Sequence, residues 1–414
     1  MQIAAAIAAA FTTYFCMYAF RKPIGAATFE GLRVFGIDLK IAVLSSQLLG
    51  YATAKFLGIR VLSEMSPARR TATLLGVVLA AEACLAIFAI VPAPLRLVAM
   101  FGNGLCLGGV WGLVYAYLEG RRTSEILGAG LSASYIVASG VVKTVGRKIV
   151  LLGVPEVWMP AVTGLTFLPL FLVGVAGLAA LPPPSPDDEA LRTRRTPMDR
   201  RARRAFVRRH AMPIAALTGL YVLLTAYRDI RDNFAVEIWN ALGWAGKPQI
   251  LTVSEIPIAL AVLLVLAVLY RVEDNLRALY WVHGIMACGT VLIGLATLGF
   301  DLGLVGGTAF MILVGLGLYL AYVPYGCVLF DRMIAATGTV GTAVFMIYVT
   351  DAAGYAGSIA LMLGKHAFGP DTPWLHFFRL ISYATCALCT AAFAASAIGI
   401  SRVVRGPAVV PSEP

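Results

Sequence analysis

Two arginines stand inside apolar stretches, where a charge is costly. Arg21 follows YFCMYAF and is itself followed by Lys22; Arg228 follows LYVLLTAY and opens the run RDIRD, which adds Asp229, Arg231 and Asp232. A guanidinium presents a planar fork that grips a carboxylate or phosphate through two parallel hydrogen bonds. Charges at membrane depth face a protein interior or a wet cavity and mark solute paths. Arg21 and Arg228 therefore read as an anion clamp, with Lys22 beside them; the rival reading is snorkelling or structural pairing. Lys55, Lys143, Glu255 and Asp351 are the other interior ionisable groups, accompanied by Gln47. Lys143 is expected to meet Glu255, and Asp351 to meet Lys55 or Gln47. Such pairs can open and close as a gate or carry a proton, or simply avoid an isolated charge. Arg228 and Asp232 share a helical face. A pair between them would neutralise the arginine and favour a zwitterionic ligand. Tyr18, Tyr135 and Tyr348 are expected to donate hydrogen bonds to a ligand. Glu82 and Glu119 read as structural.

Other chemistry finds little support. The four histidines show no metal spacing, and Cys386 and Cys389 form C-x-x-C within an apolar run that has no acidic or histidine company. The stretch GNGLCLGGVWG is followed by no Lys-Ser or Lys-Thr and preceded by no strand, so it brings helices close rather than cradling a nucleotide. No cofactor is expected, and no nucleophile–base–acid set points to an enzyme.

The elements that hold these residues follow from composition. The chain has 414 residues, of which 59% are hydrophobic and 13% charged. Its mean hydropathy is +0.83. Soluble domains are nearer 45–50% apolar and about 25% charged. The class is an all-α polytopic membrane protein, and at roughly 20 residues per span about twelve helices fit. Apolar runs bounded by charge, Pro and Gly place them near 2–31, 39–60, 71–91, 95–118, 125–152 and 157–181, then 212–241, 249–270, 277–299, 303–329, 338–364 and 375–401. Residues 1–181 form one six-helix half and 212–414 the other. Between them, 182–211 is a Pro-rich then basic linker with nine arginines. Arg60, Arg69, Arg70, Arg121, Arg122, Arg271 and Arg277 fall in loops on the same side as that linker. Basic loops are cytoplasmic, so both termini are expected there, in a bacterial inner membrane. The net charge of +11 is thus explained by topology, with anionic lipid rather than nucleic acid as the partner.

The halves repeat weakly. Tyr18-Ala19-Phe20-Arg21 matches Thr225-Ala226-Tyr227-Arg228, Ser46-Gln47 matches Ser254-Glu255, Gly104 matches Gly315, and Tyr135 matches Tyr348, at offsets that grow slowly along the chain. Parallel six-span repeats are the architecture of major facilitator transporters, with the solute site where the halves meet.

The segments RKPIGAATFEGL, LLGYATAKF and SEMSPARR, then GGVWGLVYAYLEGRRTSEILGAGLSASY, YRDIRDNFAVEIW and SEIPIAL, resemble the organophosphate:phosphate antiporters, the glycerol-3-phosphate and hexose-phosphate branch of that superfamily. The resemblance implies that Arg21 and Arg228 match the paired phosphate-binding arginines, with Lys22 and Lys55 at basic positions near them. The chain departs from the pattern where Glu64 stands displaced, where span five carries Lys143 in place of a histidine, and where Asp229, Arg231 and Asp232 crowd Arg228. The resulting expectation is a monomeric secondary transporter of a phosphate-bearing organic anion. The alternatives are a proton-coupled carrier of a carboxylate or zwitterion, with Glu255 or Asp351 as the proton site, and a receptor that binds without transport.

Overall fold

The computed structural model describes residues 2–63, 67–117, 124–182, 211–269, 271–330, 332–333 and 343–405. Their helices fall into twelve segments. The first six are α1 (Gln2–Met17), α2 (Leu39–Ser63), α3 (Pro67–Ile90), α4 (Ala93–Leu107, resumed at Val110–Tyr115), α5 (Ser124–Leu151) and α6 (Met159–Ala179). The second six are α7 (Ala211–Asn233, resumed at Ala235–Trp239), α8 (Ile250–Val253, resumed at Glu255–Leu269), α9 (Asn275–Asp301), α10 (Gly307–Pro324, prolonged through Tyr325–Leu329), α11 (Ala343–Phe368) and α12 (Trp374–Arg405). Among the described residues, α3, α4, α6, α8, α9, α10 and α12 are long and apolar enough to cross a membrane. The chain is an integral membrane protein. The arginine-rich part of the linker, Glu64 and Glu119 lie outside the described residues, as do the side chains of Tyr135 on α5 and Tyr348 on α11.

Alternating spans put the start of α1 and the end of α12 on one face, here the terminal face; the opposite one is the far face. Within the first half α1 packs on α5 and α6, and α2 on α4; within the second α7 packs on α11 and α12, and α9 on α10 and α12. Lipid tails are as apolar as leucine, so close backbone approach rather than apolar burial must hold helices together. Glycine provides it at the crossing of α2 and α4. A methyl group on Gly104 would run into the Gln47 carbonyl, and one on Gly50 into that of Phe101. The halves meet where α2 faces α11 and where α5 faces α8.

The first span departs from the expected unbroken run over 2–31. Regular helix ends at Met17, and two short 3-10 turns follow, Tyr18–Phe20 and Pro23–Ala26. Pro23 is the cause. It has no N–H to give the Ala19 carbonyl one turn back, so the helical ladder cannot run on through it. Carbonyls freed inside a membrane need donors from elsewhere in the protein. Asn103 Nδ2 donates to the Phe20 carbonyl (3.0 Å), Gln47 Nε2 to that of Arg21 (3.1 Å), and Lys40 Nζ to that of Gly25 (3.1 Å). Beyond the break, the Glu156 carboxylate accepts from the Thr28 and Phe29 amides (3.1 and 2.8 Å) and from Arg147 (3.1 Å). A two-residue-per-strand hairpin, β1 (Arg33–Val34) against β2 (Ile37–Asp38), then turns the chain into α2.

Candidate functional site

Arg21 sits in the break of α1, not on a continuing helix. Its guanidinium lies 3.8 Å over the Tyr51 ring and the residue is 6% exposed. Among the described residues no carboxylate stands within ion-pair distance of it. Tyr18, Tyr355 and Asp229 lie within its electrostatic reach. Tyr14 stands edge-on to Tyr18 at 5.6 Å, and Tyr51 edge-on to Tyr355 at 5.3 Å. A cation–aromatic contact is modest compensation for a buried charge, so this guanidinium retains most of its demand for an anion.

Arg228, its counterpart in the repeat, is differently placed. Its fork binds Asp229 Oδ1 through Nε (3.1 Å) and a terminal nitrogen (2.9 Å), and its other terminal nitrogen donates to the Tyr322 hydroxyl. The anticipated pair with Asp232 does not form. Asp232 is held by two lysines instead, Lys22 and Lys143, each at 2.5 Å, and accepts from Ser139 Oγ at 2.6 Å. Successive residues on a helix point about 100° apart. Asp232 therefore turns to the α1 break and α5, while its neighbour Arg231 turns to α8 and takes Glu255 (2.9 Å) and the Met311 carbonyl (3.1 Å). The expected Lys143–Glu255 bridge is thus replaced by two others, and Glu255 pairs within its own half. Lys55 and Asp351 do meet, and Asp351 also accepts from the Tyr221 hydroxyl, which contacts that of Tyr322 (2.9 Å). Gln47 is engaged elsewhere, on Arg21 O and Asn103 Oδ1 (2.7 Å).

These contacts bridge the halves on both sides of the centre. Toward the far face Asp232 joins Lys22 and Lys143, Lys22 donates to Asn233 Oδ1 (3.3 Å), Lys40 meets Glu237 (2.5 Å), and Thr144 Oγ1 donates to the Pro248 carbonyl (2.9 Å). Toward the terminal face Lys55 meets Asp351. A hollow at the far face between Arg147, Trp244 and Lys247 holds about 20 Å³, roughly one water. Among the described residues, these bridges enclose the centre on both sides.

Charge does not balance inside this centre. Among the described residues, Arg21, Lys22, Lys55, Lys143, Arg228 and Arg231 face only Asp229, Asp232, Glu255 and Asp351. One excess positive charge sits on Arg21 and the other in the Lys22–Asp232–Lys143 triad. Several residues of this network were not singled out from sequence. Tyr355 was readable, one turn from Asp351, as Tyr51 is from Lys55. Asn103 was hidden in a glycine-rich run whose glycines drew the reading.

Two pseudo-symmetric six-helix halves with a charged centre between them define the major facilitator transporter fold. Solved structures agree. The nucleoside transporter NupG is 16% identical with a TM-score of 0.63, covering 95% of this chain and 99% of that one. The proton:xylose symporter XylE, solved with 6-bromo-6-deoxy-D-glucose, is 14% identical at 0.60, covering 95% and 94%. The POT family transporter PepTSo is 12% identical at 0.61, covering 97% and 98%. The sequence finds no match among curated proteins. Over residues 23–402 it matches the model of the family described as "Family of unknown function (DUF5690)", and the chain belongs to that family.

Proposed function

We propose that the chain is a secondary transporter that moves a small organic anion across the membrane by alternating access, with the terminal face cytoplasmic. The observation that carries this reading is the buried Arg21 guanidinium, stacked on Tyr51 with no carboxylate partner among the described residues. An uncompensated charge is destabilising at this depth unless a ligand completes it. The excess of two positive charges supports a doubly charged group, and a phosphate monoester is the fitting class. Arg21 binds the anion, and Lys22, next in the same break, supplies the second charge. Arg228 joins by exchanging Asp229 for ligand. Lys55–Asp351 on one side and the Asp232 triad on the other open in turn. The Arg228–Asp229 pair favours one rival, a zwitterion whose carboxylate meets Arg21 and whose ammonium meets Asp229.

A thermal-shift screen of the purified full chain against inorganic phosphate, sugar phosphates, phosphonates, dicarboxylates and amino acids tests this, beside Arg21→Ala and Arg228→Ala. A ligand at a hundred times its Kd stabilises by about 2.7 kcal/mol. An organic phosphate should stabilise the wild type and fail on Arg21→Ala. Equal stabilisation of both variants removes the arginines from the site; stabilisation by amino acids alone transfers the reading to the zwitterion.

A further inference from the structure

Every carboxylate inside the spans discussed so far has a cation. Glu82 on α3 has none. It is 8% exposed, and its Oε2 is buried with no hydrogen-bond partner. The carboxyl lies over the bare backbone of Gly164 on α6, where a methyl group would collide with Oε2, and Phe20 of the α1 break flanks the same spot. Among the described residues, none of the titratable groups on the elements packed against α3 is directed at it. α6 carries no titratable side chain among the described residues. On α4, Arg96 binds the Val91 carbonyl (3.1 Å) near the far face, Cys106 meets Cys84, and Tyr115 stacks on Trp111 (4.9 Å). Tyr117, beyond α4, contacts Thr71 (2.7 Å). In the break, Tyr18 faces Tyr14, Arg21 lies on Tyr51 and Lys22 holds Asp232. On α3 itself Arg70 binds the Ala116 carbonyl (2.9 Å) at the terminal face.

An unpartnered carboxylate at membrane depth is avoided by taking up a proton. Asn103 connects this group to the site. One of its amide hydrogens goes to the Phe20 carbonyl and the other to that of Ala81, the residue before Glu82 (both 3.0 Å). We propose that Glu82 is a proton-binding site coupled to the α1 break. In the enclosed conformation it is the neutral acid. When the break moves, Phe20 leaves the carboxyl, water reaches Oε2, and the proton is released. One O–H bond forms from a proton of the water on one face and breaks to water on the other, so a single proton crosses per cycle. The proton site stands on its own geometry; its coupling to solute movement rests on the transport reading above.

The test requires no solute. Infrared difference spectra of the full chain in lipid, taken across a pH step, follow the protonated-carboxyl C=O band and its deuterium shift. Hydrogen exchange of the 18–26 amides is followed in parallel. The wild type should show a band that disappears as pH rises, with faster exchange in the break than the chemical pH dependence alone gives. Glu82→Gln, which mimics the neutral acid, should fold, lack that band and lose the extra pH dependence. Gly164→Ala, which pushes on Oε2, should shift the titration. The proposal is overturned if the band survives in Glu82→Gln, if it persists unchanged to high pH as a static acid, or if it titrates while the break does not respond. Failure of Glu82→Gln to fold also counts against it, provided Gly164→Ala folds and leaves the titration in place. Failure of the phosphate screen touches none of these outcomes.

Discussion

Replacing Asp232 by Asn removes the negative charge that holds two ammonium groups at 2.5 Å, Lys22 and Lys143, whose side chains are 10% and 4% exposed, and turns one of its two oxygens into a donor. Breaking a buried ion pair by deleting one partner costs about 3–5 kcal/mol, because the other charge is left uncompensated. Here the loss falls on the closure of the halves, since Asp232 is on α7 and both lysines are on the first half. At about 1.4 kcal/mol per tenfold, the lower figure already shifts the closed–open equilibrium toward far-face opening by roughly a hundredfold. The geometry also predicts an asymmetry. Lys22→Met or Lys143→Met leaves a balanced one-to-one pair, so each should change the equilibrium by only about 1 kcal/mol, roughly fivefold. The assay is the rate at which an impermeant maleimide labels a cysteine at Thr144, in a background without the native cysteines. Thr144 is buried against Pro248 and Thr252 while the far face is shut. The reasoning fails if Asp232→Asn labels no faster than its parent, or if either lysine variant matches it.

Further outcomes follow from the same contacts. Lys55→Met should open the terminal face and slow thermal recovery, whereas Lys55→Met with Asp351→Asn should restore much of the loss; double-mutant coupling of about 1–3 kcal/mol is the expected reading, and additivity would deny the gate. Asn103→Ala strands the Phe20 carbonyl in a membrane interior, at about 1–3 kcal/mol, and should lower the unfolding midpoint while Asn103→Leu, nearer in volume, gives no rescue. Gly104→Ala should separate α2 from α4 and cost more stability than Gly76→Ala, where a methyl meets open space; equal melting temperatures would contradict the close crossing.

Apolar run lengths carried the twelve spans and the two halves into plain view, because the bilayer imposes both length and composition on each helix. The end of α1 was less legible. Pro23 is the local signal, but the apolar run continues past it, and hydropathy alone does not register a change from α to 3-10 geometry. The interior charges were found because they are rare at depth. Their partners were not, for a reason visible in RDIRD. Helical spacing tells which residues share a face, so Arg228 and Asp232 looked like a pair. It does not tell that two lysines of the other half converge on Asp232, or that Arg231 reaches Glu255 first. The Lys55–Asp351 meeting was within reach because each is an isolated charge on a span expected to adjoin the other. Glu82 was read as structural; what sets it apart is the lack of any partner, a property of the packed neighbourhood and not of the local sequence.

The broken first helix also bears on how the protein is assembled. Regular helix in α1 gives out at Met17, before the chain reaches the two cations Arg21 and Lys22. The chain continues through the turns at Tyr18–Phe20 and Pro23–Ala26, and the carbonyls of Phe20, Arg21 and Gly25 along this stretch are satisfied by Asn103 of α4 and by Gln47 and Lys40 of α2. Alone in lipid, that stretch would expose peptide groups and two cations. The broken end of the first span therefore depends on α2 and α4 for its hydrogen bonds, and its insertion is expected to finish only once those two helices are in the bilayer.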